Sequence, residues 1–257
     1  MRSLLPPLAL ALVGASCVSV SVVPRFGPLD VDGRIGVNDA SSGLTARNDL
    51  DDVGIDRDNT VLGARADLEV GGMHTTLALS DSSHGGSGTL AAELSDGTTT
   101  IPAGTDVESD LDLTIGEAMV TWDLVPGDTV EVGIGLGATI FRVDSSFQAP
   151  STGDEIATDE TVPIPLLAAR VGLAFGDFDV SAVLGGMRLD IDGESNSFYD
   201  LDFMARMRIF GQEDVFAGAL VLGYRHVDLS AEYEDSGSRV EAHVRIRGPY
   251  IGFSFGF

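Results

Sequence analysis

Val130-Glu131-Val132-Gly133-Ile134-Gly135-Leu136-Gly137-Ala138-Thr139-Ile140 sets two faces against each other. The even positions are all apolar; the odd ones are Glu131, three glycines and Thr139. A period of two belongs to a β-strand, whose successive side chains point to opposite sides of a sheet. The pattern repeats at about ten residues per segment. From 199 to 209, Tyr199, Leu201, Phe203, Ala205, Met207 and Ile209 oppose Asp200, Asp202, Arg206 and Arg208. From 62 to 70, Leu62, Ala64, Ala66, Leu68 and Val70 oppose Arg65, Asp67 and Glu69. From 239 to 247, Val240, Ala242, Val244 and Ile246 oppose Arg239, Glu241, His243, Arg245 and Arg247.

The connections carry more information than the alternation. Gly71-Gly72, Pro126-Gly127, Gly176-Asp177 and Glu213-Asp214 are tight, turn-like links. Between them lie long polar stretches at 38–59, 82–108, 144–161, 191–198 and 231–238. Strict alternation of short and long links is the pattern of a membrane barrel, with short periplasmic turns and longer outer loops. Strands are expected near 31–37, 60–70, 73–81, 110–124, 129–143, 162–175, 178–191, 199–210, 215–230 and 239–257. The fold class is therefore all-β: an antiparallel up-and-down transmembrane β-barrel of about ten strands, with eight as the alternative. An even count puts both termini on the periplasmic side. The apolar parity changes from even at Val240–Ile246 to odd at Ile251, Phe253, Phe255 and Phe257, so a bulge is expected at Gly248-Pro249. The charged faces of these segments then form a lumen network of Arg65, Asp67, Glu69, Glu131, Arg206, Arg208, Glu241 and Arg245. Val244 and Ile246 are expected to face lipid.

Composition agrees with export. The chain has 257 residues, 32 of them glycine, and a formal charge of −25 from 40 acidic and 15 basic residues. Such a chain is repelled by nucleic acid, which is excluded as a partner. The N-terminus has Met1-Arg2, an apolar run over 4–13 and then Gly14-Ala15-Ser16-Cys17, a secretory signal pattern over residues 1–16. The barrel is expected to occupy 25–257. Val13-Gly14-Ala15-Ser16-Cys17 resembles a lipobox, which would make Cys17 a lipidation site. An ordinary cleavage site before an incidental cysteine is the alternative.

The chain ends Tyr250-Ile251-Gly252-Phe253-Ser254-Phe255-Gly256-Phe257. This end resembles the terminal strand of small bacterial outer-membrane β-barrel proteins. The resemblance implies residence in the cell outer membrane, contact with its lipid, and an assembly signal read by the barrel-assembly machinery at Tyr250, Phe253, Phe255 and Phe257.

No catalytic, cofactor or metal site is expected. Four histidines, at 74, 84, 226 and 243, limit catalytic schemes. His226 and Asp228 are two apart and share a strand face, but no serine follows His226. The acidic stretches around Asp49–Asp58 and Asp154–Glu160 leave room for loose divalent cations. Mixed lumen charges can pair across strands as a plug or line a narrow conduit, and ten strands leave little width for a channel. Three functions stay open. One is a non-enzymatic barrel in envelope integrity, surface interaction or limited permeation. Another is a barrel enzyme acting on lipid or peptide. The third is a secreted or lipid-anchored soluble β-barrel that binds an apolar ligand.

Overall fold

The computed structural model describes residues 18–39, 44–55, 58–96, 98–125, 129–191, 194–212, 216–235 and 238–256. Cys17 and Phe257 lie outside them. Thirteen strands follow in order: β1 (Val18–Asp39), β2 (Leu44–Asp49), β3 (Asp58–Val70), β4 (Met73–Thr89), β5 (Leu94–Ser95), β6 (Thr100–Ile101) and β7 (Asp106–Val125). Then come β8 (Val130–Ala149), β9 (Asp154–Phe175), β10 (Phe178–Ile191), β11 (Glu194–Gln212), β12 (Phe216–Asp235) and β13 (Ser238–Gly256). Ten of them, β1, β3, β4 and β7 to β13, form an antiparallel wall that closes where β13 pairs with β1. Closure leaves no strand edge open to hydrocarbon, where unpaired backbone groups would each cost several kcal/mol. At the turn after β3, Gly71 and Gly72 both have positive φ, 56° and 81°, the conformation a two-residue hairpin turn demands and glycine supplies without strain.

The expected lipid faces point outward. Ile134, Leu136, Phe203 and Leu62 are exposed on the outer wall, Leu136 at 60 % and Leu62 at 66 %. Lumen-side neighbours such as Arg65 and Asp202 are buried. On β8 the apolar outer face runs from Val130 to Ile140, about the strand length that crosses a bilayer.

The strands continue well past that height. β8 has 20 residues, so nearly half of it stands beyond the outer interface, roughly 20 Å at ordinary strand rise and tilt. There the polarity inverts. On β7 the outward residues Asp106, Glu108, Asp110 and Asp112 are exposed, while Val107, Leu111, Leu113 and Ile115 are buried inside. The inner core of this upper part gathers Leu29, Val31, Phe141, Phe147, Ile164, Leu166, Phe198, Val227 and Ile246. Phe141 and Phe198 meet edge to face at 5.5 Å between ring centroids. The 50–55 segment adds Leu50, Val53 and Ile55, held by Leu50 N–H to Gly33 O (3.0 Å) and Thr89 N–H to Asp52 O (2.9 Å). The short β5–β6 hairpin is tied at its tip by Asp96. Its carboxylate accepts the Thr99 and Thr98 N–H groups and the Thr98 hydroxyl, which hold it below the usual carboxylate range.

Five expectations are corrected. β1 begins at Val18 and runs to Asp39, where a weak strand at 31–37 and a barrel start at 25 were expected. Pro24, Pro28 and the glycines had masked its alternation. The stretches 82–108 and 144–161 are largely strand: on β7 the charges Asp106 and Glu108 face outward with Val107 buried between them, and on β9 residues 157–163 are exposed at every position. The β12–β13 register runs unbroken through Gly248 and Pro249, so there is no bulge. Parity is constant: Ile246, Tyr250 and Ser254 are buried inside, and Ile251 and Phe255 are exposed outside. Ile246 accordingly belongs to the inner core, with Val244 packed against it. Arg245 stands on the outer wall, not in the lumen, and its Nε donates to Asp228 at 3.0 Å. The side chain of Glu241 lies outside the described residues.

Candidate functional site

The lumen is built in three storeys. At the periplasmic end a cup of about 460 Å³ opens, lined among others by Glu69, His74, Glu131, Arg170, Asp179, Arg206 and Arg208. Its charges pair around the ring. Arg170 donates to Glu131 (3.2 Å), Arg206 to Asp179 (2.7 Å) and Arg208 to Asp177 (2.9 Å). His74 Nε2 lies 3.2 Å from the Asp123 carboxylate.

Above the cup two ion clusters cross the barrel. In the first, Asp202 of β11 accepts from Arg25 Nη1 of β1 (2.6 Å), Arg65 Nη1 of β3 (3.1 Å) and the Tyr250 hydroxyl of β13 (2.6 Å). Arg65 also grips Asp67, with Nε 3.0 Å from both oxygens and Nη2 2.9 Å from Oδ1. Thr76 Oγ1 donates to the same carboxylate at 2.8 Å. The Arg25 guanidinium carbon lies 5.2 Å from the Tyr250 ring centroid. In the second cluster, Arg225 of β12 donates to Asp200 of β11 (2.7 Å), Glu117 of β7 (3.1 Å) and Ser80 of β4 (2.9 Å). Arg65 and Arg225 are 1 % and 3 % exposed. Guanidinium groups so deep are tolerated because several charge-assisted hydrogen bonds offset the loss of water. Glycines make room for the large groups: a Cβ on Gly223 would collide with the Tyr250 ring that lies across it. The third storey is the apolar core already described.

Of the residues expected in the lumen, Arg65, Asp67, Glu69, Glu131, Arg206 and Arg208 line it. Only Arg65 and Asp67 belong to the crossing clusters; the others ring the cup. Arg25 and Arg225 were missed. Arg225 has the parity opposite to Leu220, Leu222 and Tyr224, a signal that could have found it; Arg25 lies in the first half of β1, before the strand expected at 31–37. The expected C-terminal signal divides between two faces, since Tyr250 points into the lumen while Phe253 and Phe255 point outward, 4.6 Å apart at their centroids. His226 and Asp228 share the outer wall and have different partners. His226 meets the Tyr199 ring, and Asp228 accepts from His243 (3.2 Å) and Arg245. Among the described residues no group of carboxylates and histidines is spaced to hold a metal ion.

No family model and no curated protein matches the chain. Solved structures do. The outer membrane protease OmpT from Escherichia coli is 11 % identical, with 95 % of this chain and 98 % of that chain covered and a TM-score of 0.63. The attachment invasion locus protein Ail of Yersinia pestis (9 % identity, 94 % and 99 % covered, TM-score 0.31) and the toluene transporter TodX of Pseudomonas putida (9 %, 95 % and 90 %, 0.31) match more loosely. The fold is thus that of a small bacterial outer-membrane β-barrel, and the belt of exposed apolar side chains sets the barrel in a membrane.

Proposed function

We propose that the protein is a non-enzymatic outer-membrane barrel, sealed to ions, that serves envelope integrity and surface interaction by raising a rigid β-wall above the membrane. One observation carries this reading: the lumen is filled across its section by the Asp202 and Arg225 clusters, with a packed apolar core directly above. An ion travelling along the axis would have to break several buried charge pairs and then cross that core, which is mainly apolar, with His84, Ser82 and Ser109 among its buried side chains. The separate engagements of His226 and Asp228 support the non-enzymatic side. Purified protein in planar bilayers is expected to show no steady conductance; channel openings of porin size that persist after purification would overturn the proposal.

A further inference from the structure

The wall is not equally bonded all round. β1 lies between β3 and β13, and its pairing with β3 is unbroken from Val18 to Asp30. Toward β13 the register keeps one frame but skips Val23-Pro24 and Gly27-Pro28-Leu29. Proline has no N–H. Pro24 and Pro28 are four residues apart, so their nitrogens point to the same neighbour, and the intact β3 ladder makes that neighbour β13. The frame that pairs Phe26 with Ile251 and Asp30 with Arg247 sets Pro28 opposite Pro249. Pairing of β13 with β12 runs on through Pro249, so its missing donor also falls on this seam. Two Gly-Pro dipeptides, Gly27-Pro28 and Gly248-Pro249, therefore face each other where the ladder has no donors. Glycine lets the backbones close up there: a Cβ on Gly27 would collide with the Pro249 carbonyl, and one on Gly248 with that of Pro28.

Side chains hold the seam instead. Outside, Arg247 Nη2 reaches Asp32 at 3.1 Å; inside, Arg25 lies over the Tyr250 ring. Arg247, His226 and Asp30 form one cross-strand row. It stands just above the prolines, whereas Phe26 and Ile251 below them are half exposed to hydrocarbon. The weak stretch thus sits at the outer edge of the apolar belt, where lipid headgroups begin. Behind it is a cavity of about 20 Å³, lined by Leu29, Val61, Gly63, Ser80, Arg25 and Tyr250 among others, room for about one water. Arg25 is 6 % exposed, and its Nη2 has no hydrogen-bond partner.

We propose that the β1–β13 seam is a lateral portal at which Arg25 receives the anionic head of a single-chain amphiphile from the outer leaflet. The head displaces the small cavity's contents as the Gly-Pro pair parts, Arg25 Nη2 donates to it, and the chain stays in lipid along Phe26 and Ile251. The axis remains closed to ions throughout, so this binding is independent of the sealed-barrel reading.

The test uses the full chain carrying Cys17→Ser in phosphatidylcholine vesicles, with doxyl-labelled stearate as probe and its methyl ester as the uncharged control. Electron paramagnetic resonance is expected to show about tenfold tighter association of stearate than of the ester, the value of one charge-assisted hydrogen bond. Phe26 and Ile251 are register partners, within the reach of a disulfide. In a Phe26→Cys/Ile251→Cys variant, oxidation should abolish the preference and reduction restore it. Arg25→Gln should remove it in folded, heat-modifiable protein. Equal preference in the oxidised and reduced seam, or none in the parent, overturns the proposal.

Discussion

On β7 the outward side chains are Asp106, Glu108, Asp110 and Asp112 at the outer end, then Ala118, Val120, Trp122 and Leu124 toward the periplasm. The inward ones run the other way, from Leu111, Leu113 and Ile115 to Glu117 and Thr121. One strand thus serves two solvents. At membrane height the outside is oil, so apolar side chains face it and polar ones collect in the lumen. Above the membrane the outside is water, and the ordinary inside-out order of a soluble β-barrel returns. The change is carried by composition alone, with no break in register between β7 and β8 from Glu108 to Asp123. The comparison also bears on the proposed seal: the lumen at membrane height has charges to pair, and the upper lumen has mainly apolar groups to bury.

The largest effect should come from the polar storey at membrane height. Asp202→Ala leaves Arg25, Arg65 and the Tyr250 hydroxyl without their shared acceptor. Removing one partner of a buried ion cluster costs about 3–5 kcal/mol, measurable as a lower unfolding midpoint in urea with vesicle-embedded protein. An unchanged midpoint would mean that these charges are hydrated and the lumen is open at that height. Next comes the outer face of β8. Ile134→Arg should cost about 2–4 kcal/mol at the bilayer midplane, and a negligible cost would place that face in water. The smallest effect belongs eight residues further along the same face. Arg142 already stands there, half exposed, with Asp144 at 3.0 Å and Asp159 at 3.4 Å. Exposed pairs contribute little, so Arg142→Ala should leave the midpoint where it was. A drop comparable with that of Ile134→Arg would remove the distinction between the two halves.

Alternation and turn chemistry are local, and the sequence by itself determined what is local. Val130–Ile140 could only be a strand with one apolar face; Gly71-Gly72 and Gly176-Asp177 could only be tight links. The ten wall strands, the lipid side of β8 and β11, and the lumen side of Arg65 and Asp67 follow from period two and the alternation of short and long connections. That period carries no height, however. Val244 and Ile246 read as lipid-facing because apolar residues were assigned to lipid everywhere. They are in fact inside, above the membrane, where the polarity has turned over. Nor does a strand pattern name partners. Arg25 and Asp202 are 177 positions apart, and only closure of the wall carries them to 2.6 Å. The same closure sets Pro28 against Pro249, two residues whose missing donors matter because they fall on one seam. Those relations depend on which strands become neighbours and at what depth, and only the closed barrel decides that.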